Sequence, residues 1–291
     1  MIAAMTVLLL GLGLTACTSS GTPPPRTLVV GAQSTPAMTV LARIYATVLR
    51  NTGANVSADL TTGTYPQLLD AMGGGRLDLF PAGSGALLAD LAPQQNSTSS
   101  EDVYNDLNRS LPQGVSVGDP TTVAAAPQIF VASSLAERSG ATDLASCARL
   151  PEGLPVVTAS APDPGVVAAF STAGCRLGPT EILGSTTAVV DRVASGSALG
   201  ILSPLDVDGG DAGAAATSLQ ALTVATTTTG PRAQDLVPVY RTAALSRDQV
   251  KAINKVAGEL TTADLAAMAG KARSGANPSD LAATWLAEHG L

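Results

Sequence analysis

Short β-rich runs alternate with helical stretches from Thr27 onward, and this alternation limits the possible folds more than any other feature of the chain. The segment "TLVVGAQSTPAMTVLARIYATVLRNTGANV" opens on a β-rich run, turns through Gly31 to Pro36, and continues with Val40, Leu41, Ile44 and Val48 at helical spacing. Gly53 stands where a helix C-cap would. "NVSADL" then reads as a second strand, "TYPQLLDAMGGG" as a short helix stopped by glycines, and "RLDLFPAG" as a third strand. A β-α-β-α-β start implies an α/β sheet whose ligands gather at the carboxyl ends of its strands. One such end is "DLFPAGSG", which runs into the helix "ALLADL". Its glycine-rich turn lets a ligand approach backbone N–H groups at a helix N-terminus, and Ser84 supplies a hydroxyl.

A second unit of the same kind follows. The polar loop "APQQNSTSS" and a modest helix, "EDVYNDLNRSL", lead to a second lobe that begins near Thr121. There the strands "QIFVAS", "LPVVTAS", "TEILG" and "ALGILSP" are interleaved with the helices "SLAERSG", "DPGVVAAFSTAG" and "TTAVVDRVASG". A flexible acidic loop, "DVDGGDAGAAA", and a strand, "LQALTVA", come next. The C-terminal third reads as helical: Ser246 with Gln249 and Thr261 with Asp264 match the capping-box spacing, and Asn277 precedes Pro278 at a first helical position. The expected fold class is therefore α/β and two-lobed, with a ligand cleft between the lobes. At 291 residues, 45% hydrophobic and 13% charged, the chain can give both lobes a core. The formal net charge of -7, with 16 Lys+Arg and no basic cluster, leaves counterion release nothing to act on, so nucleic acid is not an expected partner.

The three cysteines fall into two groups. Cys17 ends the apolar run "VLLLGLGLTAC", whose Leu14-Thr15-Ala16-Cys17 resembles the lipobox of bacterial lipoproteins, although no Lys or Arg precedes it. The run is shorter than the roughly 20 apolar residues a membrane span needs, and small residues precede the candidate cut. On this reading residues 1–16 are a lipoprotein signal peptide, and Cys17 is lipidated. Residues 17–26, with "TSSGTPPPR", form a proline-rich tether too polar to pack. The expected location is the outer face of the cytoplasmic membrane, in the cell envelope. Cys147 and Cys175 remain, in one lobe of an exported protein, and are expected to form a disulfide.

From Leu28 to Leu291 the chain resembles the quaternary-amine and osmoprotectant solute-binding proteins of bacterial ABC importers. The resemblance rests on "LVVGAQSTPAMTVLARIYATVL", on "GGGRLDLFPAGSGALLADL", and most specifically on the tail, with "LVPVYR", "ELTTADLAAM" and "DLAATWLAEHGL" in family order. It implies the type II periplasmic-binding-protein fold, with lobe I built from residues 27–120 and 222–291 and lobe II from 121–221. It also implies a monomer that captures a small molecule and delivers it to an ABC permease. The ligand positions depart from the family pattern together. Gln33 stands at a lysine position and Thr35 at an aromatic one. Gly83-Ser84-Gly85-Ala86 replaces a "YTGT" loop, Ala125-Ala126-Pro127 replaces an Asp-x-Asn element, and Ala161 stands where an arginine is expected.

A trimethylammonium group donates no hydrogen bonds and is held on aromatic faces, each worth about 0.5–2 kcal/mol. The expected pocket instead offers hydroxyls and amides: Gln33, Ser34, Thr35, Thr64, Tyr65, Gly83 and Ser84 from lobe I with Tyr240, and Thr158, Ser160, Asp163, Ser203 and Asp206 from lobe II. These favour a ligand with acceptor atoms, such as a polyol, a sugar-like compound or a carboxylate. Arg241 reads as half of a structural ion pair, Trp285 as a core anchor, and the single histidine, His289, as a helix-end residue. No Cys/His metal spacing and no phosphate loop is present, and a Ser/Cys-His catalytic pair would have to use His289, so the chain does not read as an enzyme and implies no cofactor or metal. The alternative to transport is a ligand-sensing or envelope-interaction lipoprotein on the same scaffold.

Overall fold

The computed structural model describes residues 26–207, 213–224 and 230–291. Cys17 and the expected signal peptide lie outside the described residues, as do parts of the acidic loop. The chain runs β1 (Gly31–Ala32), α1 (Pro36–Asn51), β2 (Thr61–Thr62), α2 (Tyr65–Gly73), β3 (Leu79–Gly83), α3 (Ser84–Leu91), α4 (Ser100–Ser110) and β4 (Val115–Val117). It crosses into β5 (Gln128–Ala132), α5 (Ser133–Ser139), a 3-10 turn (Leu144–Arg149), β6 (Val156–Thr158), α6 (Pro164–Thr172), β7 (Thr180–Ile182), α7 (Thr186–Ala194), β8 (Leu199–Leu202), α8 (Pro204–Val207), α9 (Gly213–Ala216) and β9 (Leu219–Leu222). It then returns as β10 (Leu236–Arg241), α10 (Arg247–Glu259), α11 (Thr262–Arg273) and α12 (Pro278–His289).

Three sheets organise the described residues, two in lobe I and one in lobe II. In lobe I, β10 lies between β3 and β4 and is antiparallel to both, while β1 and β2 pair in parallel beside them. Lobe II carries the order β7-β6-β8-β5-β9, in which β5 alone is reversed, antiparallel to both β8 and β9, while β6, β7 and β8 pair in parallel. The parallel strands send their carboxyl ends, and the starts of the helices that follow, to one edge.

The first helix explains the lobe I core. Thr35 caps α1 by accepting from Met38 N at 3.3 Å, and Pro36 opens it. Its buried face, Leu41, Ile44, Tyr45, Val48 and Leu49, shares one core with Leu265 and Met268 of α11 and Ala282, Trp285 and Leu286 of α12. The three C-terminal helices therefore wrap the first one. All three begin with the caps expected: Ser246 accepts from Gln249 N, Thr261 from Asp264 N, and Asn277 from Ser279 N. Trp285 is buried, and the His289 ring stacks on it at 4.3 Å in the last turn. Lobe II is buried on both faces of its sheet. Ile129 and Val131 face a core with Leu144, Phe170 and Leu199, while Phe130 faces Val157, Val189 and Val193 on the other side. The Cys147–Cys175 disulfide lies in the first of these cores, with the two Cα atoms 5.0 Å apart.

Two expectations need correction. "NVSADL" is not a strand of its own: only Val56 bridges Leu28, and the pairing resumes as β2 at Thr61. The C-terminal third is not purely helical either, because "LVPVYR" is β10, the central strand of its sheet. Pro238 hides that strand from sequence, since a proline cannot donate to a ladder. The fold accommodates it: Gly118 N donates to Pro238 O at 2.8 Å, and Gly118 O accepts from Tyr104 Oη at 3.2 Å.

Candidate functional site

Two adjoining cavities mark the edge where the helices begin. The first, about 280 Å³, is an open pocket lined by lobe II residues at the ends of β6 and β8 and the starts of α6, α7 and α8. The second, about 410 Å³, lies between lobes, with Gly85, Ala86 and Ala89 of α3 on one wall and Gly165, Val166 and Ala169 of α6 on the other. Asp163 and Val166 belong to both linings.

All five residues expected from lobe II line the first cavity: Thr158, Ser160, Asp163, Ser203 and Asp206. Their roles differ. Asp163 caps α6, accepting from Gly165 N at 2.6 Å. The Ser203 hydroxyl donates to Ala125 O at 3.2 Å and accepts from Leu205 N, so it holds the crossover segment against α8. Thr158 is 3% exposed, and its Oγ1 has no hydrogen-bond partner among the described residues. Burial pushes the Asp206 carboxyl above its ordinary range, against the opposing pull of a Ser203 backbone bond and of Arg273, whose Nη2 lies 3.8 Å from Asp206 Oδ1.

Lobe I departs from expectation. Ser84 is 0% exposed; its Oγ accepts from Asp235 N at 3.1 Å, and its own N–H donates to Asp235 O. Gly83 N donates to Tyr65 Oη at 2.8 Å, and Ala86 N donates to Gln234 Oε1 at 2.9 Å. The groups at the start of α3 that were expected to face a ligand are thus held within the fold, because a buried N–H or hydroxyl without a partner costs about 1–3 kcal/mol. Tyr65 itself is buried against Phe80, with ring centroids 6.1 Å apart. Gln33, Ser34, Thr35 and Thr64 share the strand-end edge with Gly83 but line neither cavity. Tyr240 is not brought to them: it pairs with Leu79 and Ser116, whereas Leu236, at the other end of β10, pairs with Gly83. Arg241 forms the ion pair expected of it, holding the buried Asp78 through Nε at 3.0 Å and Nη2 at 2.7 Å.

Sequence reasoning missed two residues of the second cavity. Gln234 occupies the space over Gly83, where an added Cβ would meet Gln234 Oε1 at 2.8 Å. Arg232 donates to Ser97 O at 3.2 Å, to Gly85 O at 3.4 Å, and to Gln95 O. The available signal was that Arg232 is the one basic residue between Arg192 and Arg241.

Every aromatic side chain of the protein is placed by the structure. Tyr45, Tyr65, Phe80, Phe130, Phe170 and Trp285 are buried in the cores. Tyr104 and Tyr240 are half-buried, and each feels the charge of Asp119. None lines either cavity.

Comparisons with known proteins agree on the fold. Three solved structures superpose over 91% of the chain. Apo YehZ from Escherichia coli matches at 20% identity and TM-score 0.71 over 99% of its length. A glycine betaine/carnitine/choline ABC transporter structure matches at 14% and 0.75 over 98%, and lactococcal OpuAC, closed and complexed with glycine betaine, at 13% and 0.57 over 96%. Comparison with curated protein sequences returns no match. One family model, OpuAC, described as the substrate binding domain of ABC-type glycine betaine transport systems, matches residues 26–205. Covering more than half of the chain, that match makes this protein a member of the OpuAC family, whose members are binding proteins of ABC transporters and not enzymes.

Proposed function

We propose that the protein is a lipid-anchored solute-binding protein that captures a small polar molecule other than a quaternary amine and passes it to an ABC permease. The observation that carries this reading is the absence of any aromatic side chain from the lining of both cavities. The relatives of known structure include one complexed with glycine betaine and one complexed with choline. Without aromatic faces a trimethylammonium group loses about 0.5–2 kcal/mol per missing ring. Hydroxyls and carboxylates occupy the first cavity instead.

In this reading Cys17 carries the lipid and holds the monomer at the outer face of the cytoplasmic membrane. Residues 27–120 with 222–291, and 121–221, are the two lobes that close on the ligand. Isothermal titration of the purified protein tests the specificity. Choline and glycine betaine should bind with dissociation constants well above 10 µM, weaker than about -7 kcal/mol, and a value at or below 10 µM for either would overturn the reading. Membrane fractionation of Cys17→Ala tests the anchor: the variant should leave the membrane fraction, and unchanged membrane attachment would remove the lipid from the proposal.

A further inference from the structure

We infer that the lobe II cavity is a subsite for a hydrogen-bond-donating cation: a protonated primary or secondary amine that also carries hydroxyl groups. The inference rests on the reading of this cleft as a site for a polar, non-quaternary solute, and it names the chemical class. Four observations carry it. The lining holds two carboxylates, Asp163 and Asp206, and no Lys, Arg or His. Asp163 and Ser185 already cap α6 and α7, accepting from Gly165 N and Ala188 N, so these helix starts are answered by the fold's own side chains. Thr158 Oγ1 is buried at the end of β6 with no partner among the described residues. Of the buried side-chain atoms in that condition it is the one that lines this cavity, where a ligand group can bond to it. The lining also contributes Ser160 and Thr186, which can accept from a donor-rich ligand.

Charge decides between ligand classes. An anionic ligand would meet Asp163 and Asp206 with no counter-charge in the same cavity. Of the nearby cations, Arg232 in the adjoining cavity is committed to the carbonyls of Ser97, Gly85 and Gln95, while Arg273 on helix α11 stands outside the lining, 3.8 Å from Asp206, and competes for it. An ammonium group with N–H donors reaches Asp206 directly and forms charge-assisted bonds, which are about twice as strong as neutral ones. A quaternary ammonium of the same charge has no N–H to give. This subsite is therefore selective for N–H over N-methyl.

A matched set of probes tests this on the purified full-length protein at pH 7 by isothermal titration: ethanolamine, choline, ethylene glycol and glycolate, with glucosamine, glucose and glucuronate as a larger set. The amine of each set should bind at least about tenfold more tightly than its neutral and anionic counterparts, and ethanolamine more tightly than choline. Asp206→Asn should abolish the preference for the amine, and Thr158→Val should weaken both the amine and its neutral counterpart. Arg273→Gln removes the competing cation without touching the cavity lining, so it should tighten amine binding. Equal or tighter binding of a neutral or anionic probe overturns the inference and leaves the broader reading standing. Choline binding at or below 10 µM, tighter than ethanolamine, overturns both. No amine binding up to 10 mM, or a preference retained in Asp206→Asn, also overturns the inference. Circular dichroism of each variant separates loss of the subsite from loss of fold; should Asp206→Asn not fold, Arg273→Gln decides, and weaker amine binding there counts against the inference.

Discussion

The two lobes treat the same kind of strand end in opposite ways. At the end of β3 in lobe I, the backbone N–H groups of Gly83, Ser84 and Ala86 are taken by Tyr65, Asp235 and Gln234. At the end of β6 in lobe II, Thr158 keeps a buried hydroxyl without a partner among the described residues, in a cavity lined by two carboxylates. Each lobe has two apolar cores: in lobe I one joins α1, α10, α11 and α12 and the other joins α2, β3, α3, α4 and β10, while in lobe II they lie on the two faces of the sheet, one of them holding the disulfide. At these two strand ends, then, lobe I closes its backbone N–H groups with groups of its own, while lobe II leaves one cavity-lining hydroxyl unpaired among the described residues. The contrast teaches that two similar strand ends of one chain can be closed by the fold's own groups or left with a hydroxyl facing a cavity.

The largest test of this contrast is Trp285→Ala. Emptying this buried site at the centre of the four-helix cluster should cost about 3–5 kcal/mol and unfold lobe I first in urea. A loss below about 1 kcal/mol would mean that α12 is peripheral to the core. Next comes the disulfide. Reducing Cys147–Cys175, which closes a separation of 28 residues, should lower stability by about 3–4 kcal/mol in the chain-entropy model. The effect belongs to lobe II, so unfolding followed by Trp285 fluorescence, which reports only lobe I, should shift less than unfolding followed by circular dichroism. Coincident shifts would show that the lobes unfold as one unit.

Tyr65→Phe probes the closed strand end of lobe I at smaller scale. It leaves Gly83 N–H buried without its acceptor and should cost about 1–3 kcal/mol. Burial pushes the Tyr65 phenol up to about 12, against the Gly83 bond that pulls it down. The folded state therefore keeps a proton that the unfolded chain releases near pH 10, so the contribution is whole below pH 10 and is lost as pH rises toward 12. Replacing the phenol should shrink that alkaline loss; Tyr45, shifted up by burial alone, retains its own share. The smallest effect is expected at Gly83. Gly83→Ala should cost about 1 kcal/mol in the native background, where its Cβ meets Gln234 Oε1, and near zero in Gln234→Ala. Equal costs in both backgrounds would place the strain in the backbone.

Local pattern alone determined much of this protein. The β-α-β-α-β start, the caps at Ser246, Thr261 and Asn277, and the burial of Trp285 all follow from signals spanning a few residues. The pairing of Cys147 with Cys175 follows from count and compartment. The scarcity of aromatic residues was equally legible, but only the packing shows that none of them lines either cavity. What only the tertiary structure decided is where distant segments meet. Asp235 and Gln234 reach the start of α3 from about 150 residues away, and no local spacing announces that they will silence Ser84 and Ala86. Pro238 concealed a central strand, and the Gly118 carbonyl to which Pro238 has no N–H to donate accepts from Tyr104 Oη instead. The physical reason is the same in each case: a hydrogen-bonding group is free or engaged according to the whole set of neighbours that burial brings to it, and that set is a property of the packed chain.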